Sequence, residues 1–328
     1  MRPSTASNKT CAPAPIDSLA GDVQYYLGLT PRQLPSRYFY DPLGSALFEA
    51  ICELPWYRIT KAERALLDRH AGEILARVDP LSTLVELGPG SGDKLAALVR
   101  GGGVRSHGLT VHLVDISAAA LELATRTLAA LDADLVVSPH QATYESGLVE
   151  AMARRPITGR ALTLFLGSNI GNFDPPGAEQ FLRGVHASLA AGDSLLVGTD
   201  LVKPERDLLL AYDDPLGVTA AFNRNLLVHI NHELGGDFDV SAFRHRALWN
   251  AEESRVEMHL VAARPQLVRI PGASLAVSFE AGETIWTESS YKYRPEDVTR
   301  MLERAGFQRV EQWIDEADGF ALTLVAVV

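Results

Sequence analysis

An apolar run at 83–87 leads directly into Gly88-Pro89-Gly90-Ser91-Gly92-Asp93-Lys94, and a helical pattern starts at Lys94. A strand that becomes a helix through three alternate glycines leaves few architectures open, because glycine accepts positive φ and lets a ligand approach the backbone closely. The spacing is GxGxG, not the GxGxxG that seats a dinucleotide pyrophosphate on a helix N-terminus. Asp115 ends the next predicted strand, where a carboxylate can take both hydroxyls of a ribose. Taken singly, the glycines read as a tight strand-to-helix connection and Asp115 as a helix cap. In the order strand, glycines, strand, acid they predict a nucleoside cofactor, with S-adenosylmethionine ahead of a nicotinamide dinucleotide.

The pattern around this turn repeats. Apolar runs at 83–87, 110–114, 135–137, 161–166 and 194–198 alternate with helical patterns at 94–99, 117–131 and 178–189. Strands that are continuously apolar imply a parallel sheet covered on both faces, so a doubly wound α/β core is expected. A helix start is predicted at Thr60, with Glu63 reaching back as in a capping box; Leu67, Ala71, Ile74, Leu75 and Val78 then share one face. After Asp200 the construction changes to one helix over 207–233, a loop, and strands of two-residue alternation such as 255–262 and 274–279. A helix at 294–305, stopped by Gly306, and runs at 307–314 and 321–328 close the chain as an antiparallel pair. The expected organisation is a cofactor-binding domain of 62–202 plus 292–328, a substrate-binding domain of 16–61 plus 203–291, and a disordered tail at 1–15.

Charge and cysteine usage narrow the partners. A net charge of −11 disfavours a sequence-independent hold on nucleic acid or an anionic membrane. Cys11 and Cys52 cannot form a disulfide framework or a CxxC site. The first thirty residues lack the apolar core of a signal peptide, and no run of about 18 apolar residues occurs. A cytoplasmic monomer acting on a small molecule is expected. His229 and His232, followed by Glu233, match neither zinc-protease pattern; they read as solvated or capping residues, and no metal is expected.

Several further runs carry a resemblance. Tyr38-Phe39-Tyr40-Asp41 with Gly44-Ser45 and Leu47-Phe48-Glu49, then Leu54-Pro55-Trp56-Tyr57 and Thr60-x-x-Glu63, are similar to the histidine-specific S-adenosylmethionine-dependent methyltransferases of ergothioneine biosynthesis. So are Gly167-Ser168-Asn169-Ile170-Gly171-Asn172, Asp200-Leu201-Val202-Lys203, the stretch from Ala211-Tyr212-Asp213-Asp214 to Asn223-Arg224-Asn225, and Thr287-Glu288-Ser289-Ser290-Tyr291-Lys292. The resemblance spans nearly the whole chain beyond the tail, and much of it lies outside the cofactor core. It implies a class I methyltransferase, a Rossmann-like doubly wound sheet with an inserted α+β substrate-binding domain. It also implies successive Nα-methylation of L-histidine to the trimethylated betaine hercynine, with S-adenosyl-L-methionine as cofactor.

Residue by residue, the resemblance places Asn172 and Tyr212 on the substrate carboxylate and Tyr57, Glu288 and Ser290 around the imidazole. Tyr40, Phe48 and Met258 complete the pocket wall. Gly88, Lys94 and Asp115 match cofactor positions, with Gly90 in the same turn. One departure concerns the adenine: the family offers an acid followed by Phe near the third strand's end, where this chain has Thr143 and Tyr144. A hydroxyl can still accept the adenine amino group, so the departure bears on cofactor affinity rather than reaction type.

The residues support part of this on their own. On a strand over 284–290, Glu288 and Ser290 project from one face, giving an anionic acceptor and a hydroxyl for the two nitrogens of an imidazole. Without the surrounding match, Glu288 reads as an exposed strand residue. Tyr40, Phe48 and Tyr57 suggest an aromatic cage for a methylated ammonium, although aromatics are more often core, and Met258 alternates with Val256 and Leu260 as packing. Tyr40 is the candidate to accept or orient the α-amine proton. The competing functions are methylation of another amino acid or imidazole amine, a nicotinamide oxidoreductase, and a non-catalytic ligand sensor.

Overall fold

The computed structural model describes residues 18–103, 108–131 and 135–328; the tail expected at 1–15 lies outside the described residues. In chain order the elements are α1 (Leu19–Leu27), β1 (Arg32–Gln33), α2 (Pro42–Glu53), α3 (Arg58–Ala76), β2 (Leu81–Leu87), α4 (Asp93–Gly101), β3 (Thr110–Asp115), α5 (Ala118–Ala129) and β4 (Val136–Gln141). There follow α6 (Tyr144–Ala153), β5 (Arg160–Phe165), α7 (Pro175–Ser188), β6 (Ser194–Asp200), α8 (Glu205–Tyr212), α9 (Val218–Leu234), β7 (Phe243–Asn250) and β8 (Arg255–Ala262). The chain ends with β9 (Gln266–Ile270), β10 (Leu275–Phe279), β11 (Thr284–Tyr291), α10 (Pro295–Arg304), β12 (Gln308–Asp315) and β13 (Phe320–Ala326). No helix among the described residues is long and apolar enough to cross a membrane.

Seven strands form the main sheet in the order β12-β13-β6-β5-β2-β3-β4. β2 pairs in parallel with both β3 and β5, β3 with β4, and β5 with β6. β13 runs antiparallel to β6 and to β12. This is a doubly wound α/β sheet, and the order reverses at β2, where such sheets open a ligand crevice beyond the strand C-termini.

Successive strand residues serve opposite faces, so both faces need apolar side chains. Leu84, Leu164 and Leu196 join Leu66, Leu67 and Ile74 of α3 in one buried cluster. Val85, Phe165 and Val197, their immediate neighbours, join Phe181 and Leu182 of α7 and Val298 and Leu302 of α10 in the other. Burial on both sides is the reason the strands read as unbroken apolar runs.

A second sheet has the order β1-β11-β8-β7, with β11 and β7 antiparallel to β8 and β1 parallel to β11. Phe222, Leu226 and Ile230 of α9 pack with Met258 and Leu260 of β8 in the same cluster as α3, so both sheets share that core. A Leu201–Tyr293 bridge ties the end of β6 to the chain leaving β11. The crevice of the main sheet is thereby walled by the second one.

Two local expectations are corrected. The helix expected at 207–233 is two helices, because Pro215 forces Asp214 out of helical geometry. The Asp214 carboxylate then collects the backbone N–H groups of Leu216, Val218 and Thr219 and restarts the chain as α9 behind Gly217. The capping box at Thr60 and Glu63 does not form: α3 begins at Arg58 without a side-chain cap, and Glu63 turns into the interior.

Candidate active site

The cofactor half is built from the loop after β2. Gly88 and Gly92 adopt φ of +74° and +79°, and a Cβ on Gly88 would stand 2.9 Å from the Tyr144 hydroxyl and 3.0 Å from Asn169 Nδ2. On Gly92 it would meet the α5 backbone at 2.9 Å from Ala124 Cα. Glycine is therefore demanded by geometry and by space. Gly90, also left-handed at φ +53°, carries the loop between them, and the Gly88 N–H donates to Val114 O at 2.9 Å, fastening the loop to β3.

Three groups around this loop answer to an amino-acid nucleoside. Asp115 ends β3 with one carboxylate oxygen accepting from Ser117 N at 2.8 Å, and burial raises its pKa. Glu86 lies just before the glycines, almost fully buried, and its Oε2 has no hydrogen-bond partner among the described residues. Burial lifts its carboxyl to about 8, partly offset by Lys94. An orphaned buried acid beside a glycine cradle needs a donor or a cation, and the ammonium end of S-adenosylmethionine supplies one while its ribose suits Asp115. The residues present thus fit that cofactor.

Lys94 has a more definite place than the sequence implied. Its Nζ lies 2.6 Å from a carboxylate oxygen of Glu63, and both Glu63 oxygens accept from Gly167 N at 2.8 and 2.9 Å. Glu63 is fully buried. It clamps the cofactor helix α4 to the loop after β5, and that loop carries Asn172. Thr143 is exposed and serves as the N-cap of α6, accepting from Ser146 N and bonding the Ser146 hydroxyl at 2.9 Å, so its side chain is engaged in the cap. Tyr144 packs on Phe165 and Phe181 and sets its hydroxyl over Gly88.

All of the residues expected at the substrate line one cleft: Tyr40, Phe48, Tyr57, Asn172, Tyr212, Met258, Glu288 and Ser290. Its empty volume, counting the open mouth, is about 480 Å³, and Gly167 to Asn169 form the wall toward the cofactor loop. The aromatic wall is edge-to-face, with Tyr40–Phe48 centroids 5.7 Å apart and Phe48–Tyr57 6.2 Å. Phe222, which the sequence reading missed, lies within 6.0 Å of Phe39, Tyr40 and Phe48 and joins them. Burial, then the charge of Glu288, pushes the Tyr40 phenol well above its ordinary value. Tyr40 is therefore a neutral hydroxyl suited to orienting an amine rather than a phenolate base.

The polar wall comes from β11. A bulge between Trp286 and Glu288 sets Glu288 opposite Met258 of β8, and Thr287 turns away, sharing its one hydroxyl hydrogen between Asn223 Oδ1 and Met258 O. Bulges re-aim side chains in this way, and here Glu288 and Ser290 both reach the cleft. Burial raises the Glu288 carboxyl to about 7, with Lys292 pulling the other way.

Behind Ser290 is a buried network that adds Lys292 and Asp200 to the sequence-based site. Lys292 Nζ lies 2.9 Å from each of Tyr212 Oη, Ser290 Oγ and Asp200 Oδ2. Tyr212 in turn donates to Ser290 at 2.8 Å. Burial alone would lower the Lys292 pKa, but Asp200 and Tyr212 reverse this and raise it, so Lys292 is a permanent cation. The signal was available, since Glu288, Ser290 and Lys292 continue the same two-residue alternation. Thr219 was also missed; its buried Oγ1 has no partner among the described residues, and it lines the cleft. His229 and His232 lie apart from the cleft, bonded to Tyr38 O and to Glu233.

The chain is similar to known proteins over nearly its whole length. The family model described as histidine-specific methyltransferase, SAM-dependent, matches residues 19–327. The histidine N-alpha-methyltransferase of Mycobacterium tuberculosis is 42% identical over 311 residues, 94% of this chain and 95% of that one. That of Mycolicibacterium smegmatis is 40% identical over 320 residues, 97% and 98% of the two chains. A more distant relative, the L-tryptophan methyltransferase trpM of Psilocybe serbica, is 26% identical over 325 residues, covering 89% of this chain and 87% of that one.

Proposed function

The chain belongs to the histidine-specific, S-adenosylmethionine-dependent methyltransferases, and from that premise we propose that its cleft methylates the α-amine of L-histidine. The amine is methylated successively to the trimethylated betaine hercynine, a step of ergothioneine biosynthesis. The observation that carries the substrate assignment is the pairing of Glu288 with Ser290 on one wall of a small cleft that reaches the cofactor loop. An acceptor and a hydroxyl side by side suit a ring with two nitrogens. A site built to bond a ring N–H discriminates against analogues lacking it far more strongly than an apolar pocket does.

The cofactor, when bound, supplies a methyl group on a positively charged sulfur. Gly88, Gly90 and Gly92 give it backbone, Asp115 takes the ribose, Glu86 the ammonium, and Lys94 stands with Glu63 at the helix entrance. Tyr144 flanks the same loop, with Thr143 at its edge. The remaining task of the protein is alignment, since in-line displacement by an amine needs a correctly placed lone pair and little covalent help. Asn172 holds the substrate carboxylate. Tyr212 can join it only by turning its hydroxyl from Ser290. Tyr57, Phe48 and Met258 enclose the ring and side-chain stem, while Tyr40 accepts the α-amine's hydrogen bond and keeps its lone pair facing the sulfur.

The relative named as a tryptophan methyltransferase makes another amino acid the alternative substrate. Mass spectrometry of L-histidine incubated with enzyme and S-adenosylmethionine separates the two. The expected result is mono-, di- and trimethylated histidine in succession, with tryptophan, histamine and histidine methyl ester poor substrates. Methylation of tryptophan in preference to histidine would overturn the assignment.

A further inference from the structure

Lys292 has all three of its hydrogens committed, to Asp200, Tyr212 and Ser290. The consequence lies in the hydroxyls. A serine oxygen has two lone pairs and one hydrogen, and Ser290 Oγ accepts from Lys292 at 2.9 Å and from Tyr212 at 2.8 Å. Both acceptor sites are filled from within the protein. Only the hydrogen of Ser290 is left for whatever enters the cleft, and the groove's other ring contact, Glu288, can only accept when ionised.

We infer that Lys292 is a positioning residue for substrate recognition, which holds the Tyr212 and Ser290 hydroxyls from behind so that the ring fitting between Ser290 and Glu288 is a neutral imidazole. This rests on the proposed histidine reading and deepens it. A neutral imidazole carries one N–H, for Glu288, and one bare nitrogen, for the Ser290 hydrogen. An imidazolium carries two N–H groups and finds no acceptor at Ser290. The Tyr212 hydrogen stays on Ser290 in this arrangement, so the substrate carboxylate is left to Asn172. Pyrrole and indole rings have an N–H but no bare nitrogen, so they leave the Ser290 hydrogen unpaired.

The test uses the full chain with S-adenosylhomocysteine and histidine labelled with nitrogen-15 in the ring. At about pH 5.5, below the ordinary imidazole value of about 6.5 and where the Glu288 carboxyl, raised to about 7, carries its own proton, the bound ring should still show one protonated and one bare nitrogen, its N–H on the Glu288 carbonyl oxygen. Two protonated nitrogens in the bound ring would refute the inference while leaving histidine as substrate. Failure of histidine to bind or be methylated would instead refute the function and this inference with it.

A second readout is selectivity for histidine over 3-(pyrrol-2-yl)alanine, measured as the ratio of kcat/KM values. Lys292→Met should reduce that ratio about tenfold, mainly at histidine's expense. Ser290→Ala should do the same, and the double variant no more than Ser290→Ala alone. Equal falls for both substrates in Lys292→Met would mean a merely structural role and would overturn the inference. Should that variant fail to fold, the ring-nitrogen measurement on the unaltered protein decides alone.

Discussion

Replacing Glu288 by glutamine should make the protein more stable at neutral and alkaline pH while disabling it. Burial holds the Glu288 carboxyl at about 7 in the folded protein, against an ordinary 4.5. The folded state therefore binds this proton more tightly than the unfolded chain does. The stability it confers is complete below about pH 4.5 and is lost as pH rises through about 7. At 1.36 kcal/mol per pH unit, the loss amounts to roughly 3 kcal/mol by pH 8. Glutamine stays neutral throughout, so the variant's stability relative to the parent should grow by about 2 to 3 kcal/mol between pH 5 and pH 8. Urea unfolding at both pH values measures this, and the difference between them cancels any constant packing effect of the amide. At pH 8, where the parent's Glu288 is ionised, kcat/KM for histidine should fall about a hundredfold or more, because the ring N–H loses its anionic acceptor. A pH-independent stability difference, or a variant that methylates histidine normally, would refute the reasoning.

Other perturbations separate the parts of the site. Glu63→Ala strands Lys94 and Gly167 N around a fully buried vacancy; it should cost about 3 to 5 kcal/mol in thermal unfolding and weaken cofactor binding, whereas a loss under 1 kcal/mol would show that the clamp is unimportant. Gly88→Ala places a Cβ 2.9 Å from the Tyr144 hydroxyl at φ +74°. Calorimetry should show S-adenosylmethionine affinity at least about tenfold weaker, with the circular dichroism spectrum unchanged. Asn172→Ala should raise the KM for histidine by about tenfold and leave cofactor affinity as it was; equal effects on both ligands would remove Asn172 from the carboxylate.

The main sheet was legible because its signals are local. Leu84 and Val85 are apolar neighbours serving opposite faces, and the glycines at 88, 90 and 92 can hardly mean anything but left-handed backbone. The site was legible where side chains alternate, as with Glu288 and Ser290. Glu63 shows where local reasoning fails. Its spacing from Thr60 satisfies a capping box, yet its partners Lys94 and Gly167 are distant in sequence, and a buried ion pair that also takes the Gly167 N–H outweighs an end cap at a solvent-facing turn. Ser290 lines the cleft, but which way its hydroxyl bonds is not legible in the alternation. That depends on Tyr212, 78 residues earlier, and on Lys292, which shares the alternation but whose partners Tyr212 and Asp200 are distant in sequence. The helix break at Asp214 was present in the sequence as Asp-Pro and was overridden by the apolar pattern on either side.

The measurement closest to the central claim is a crystal structure of the protein with L-histidine and S-adenosylhomocysteine. The account predicts the imidazole between Glu288 and Ser290, with the α-amine beside Tyr40 and facing the sulfur. An imidazole turned to solvent, with both side chains unbonded to it, would contradict the account.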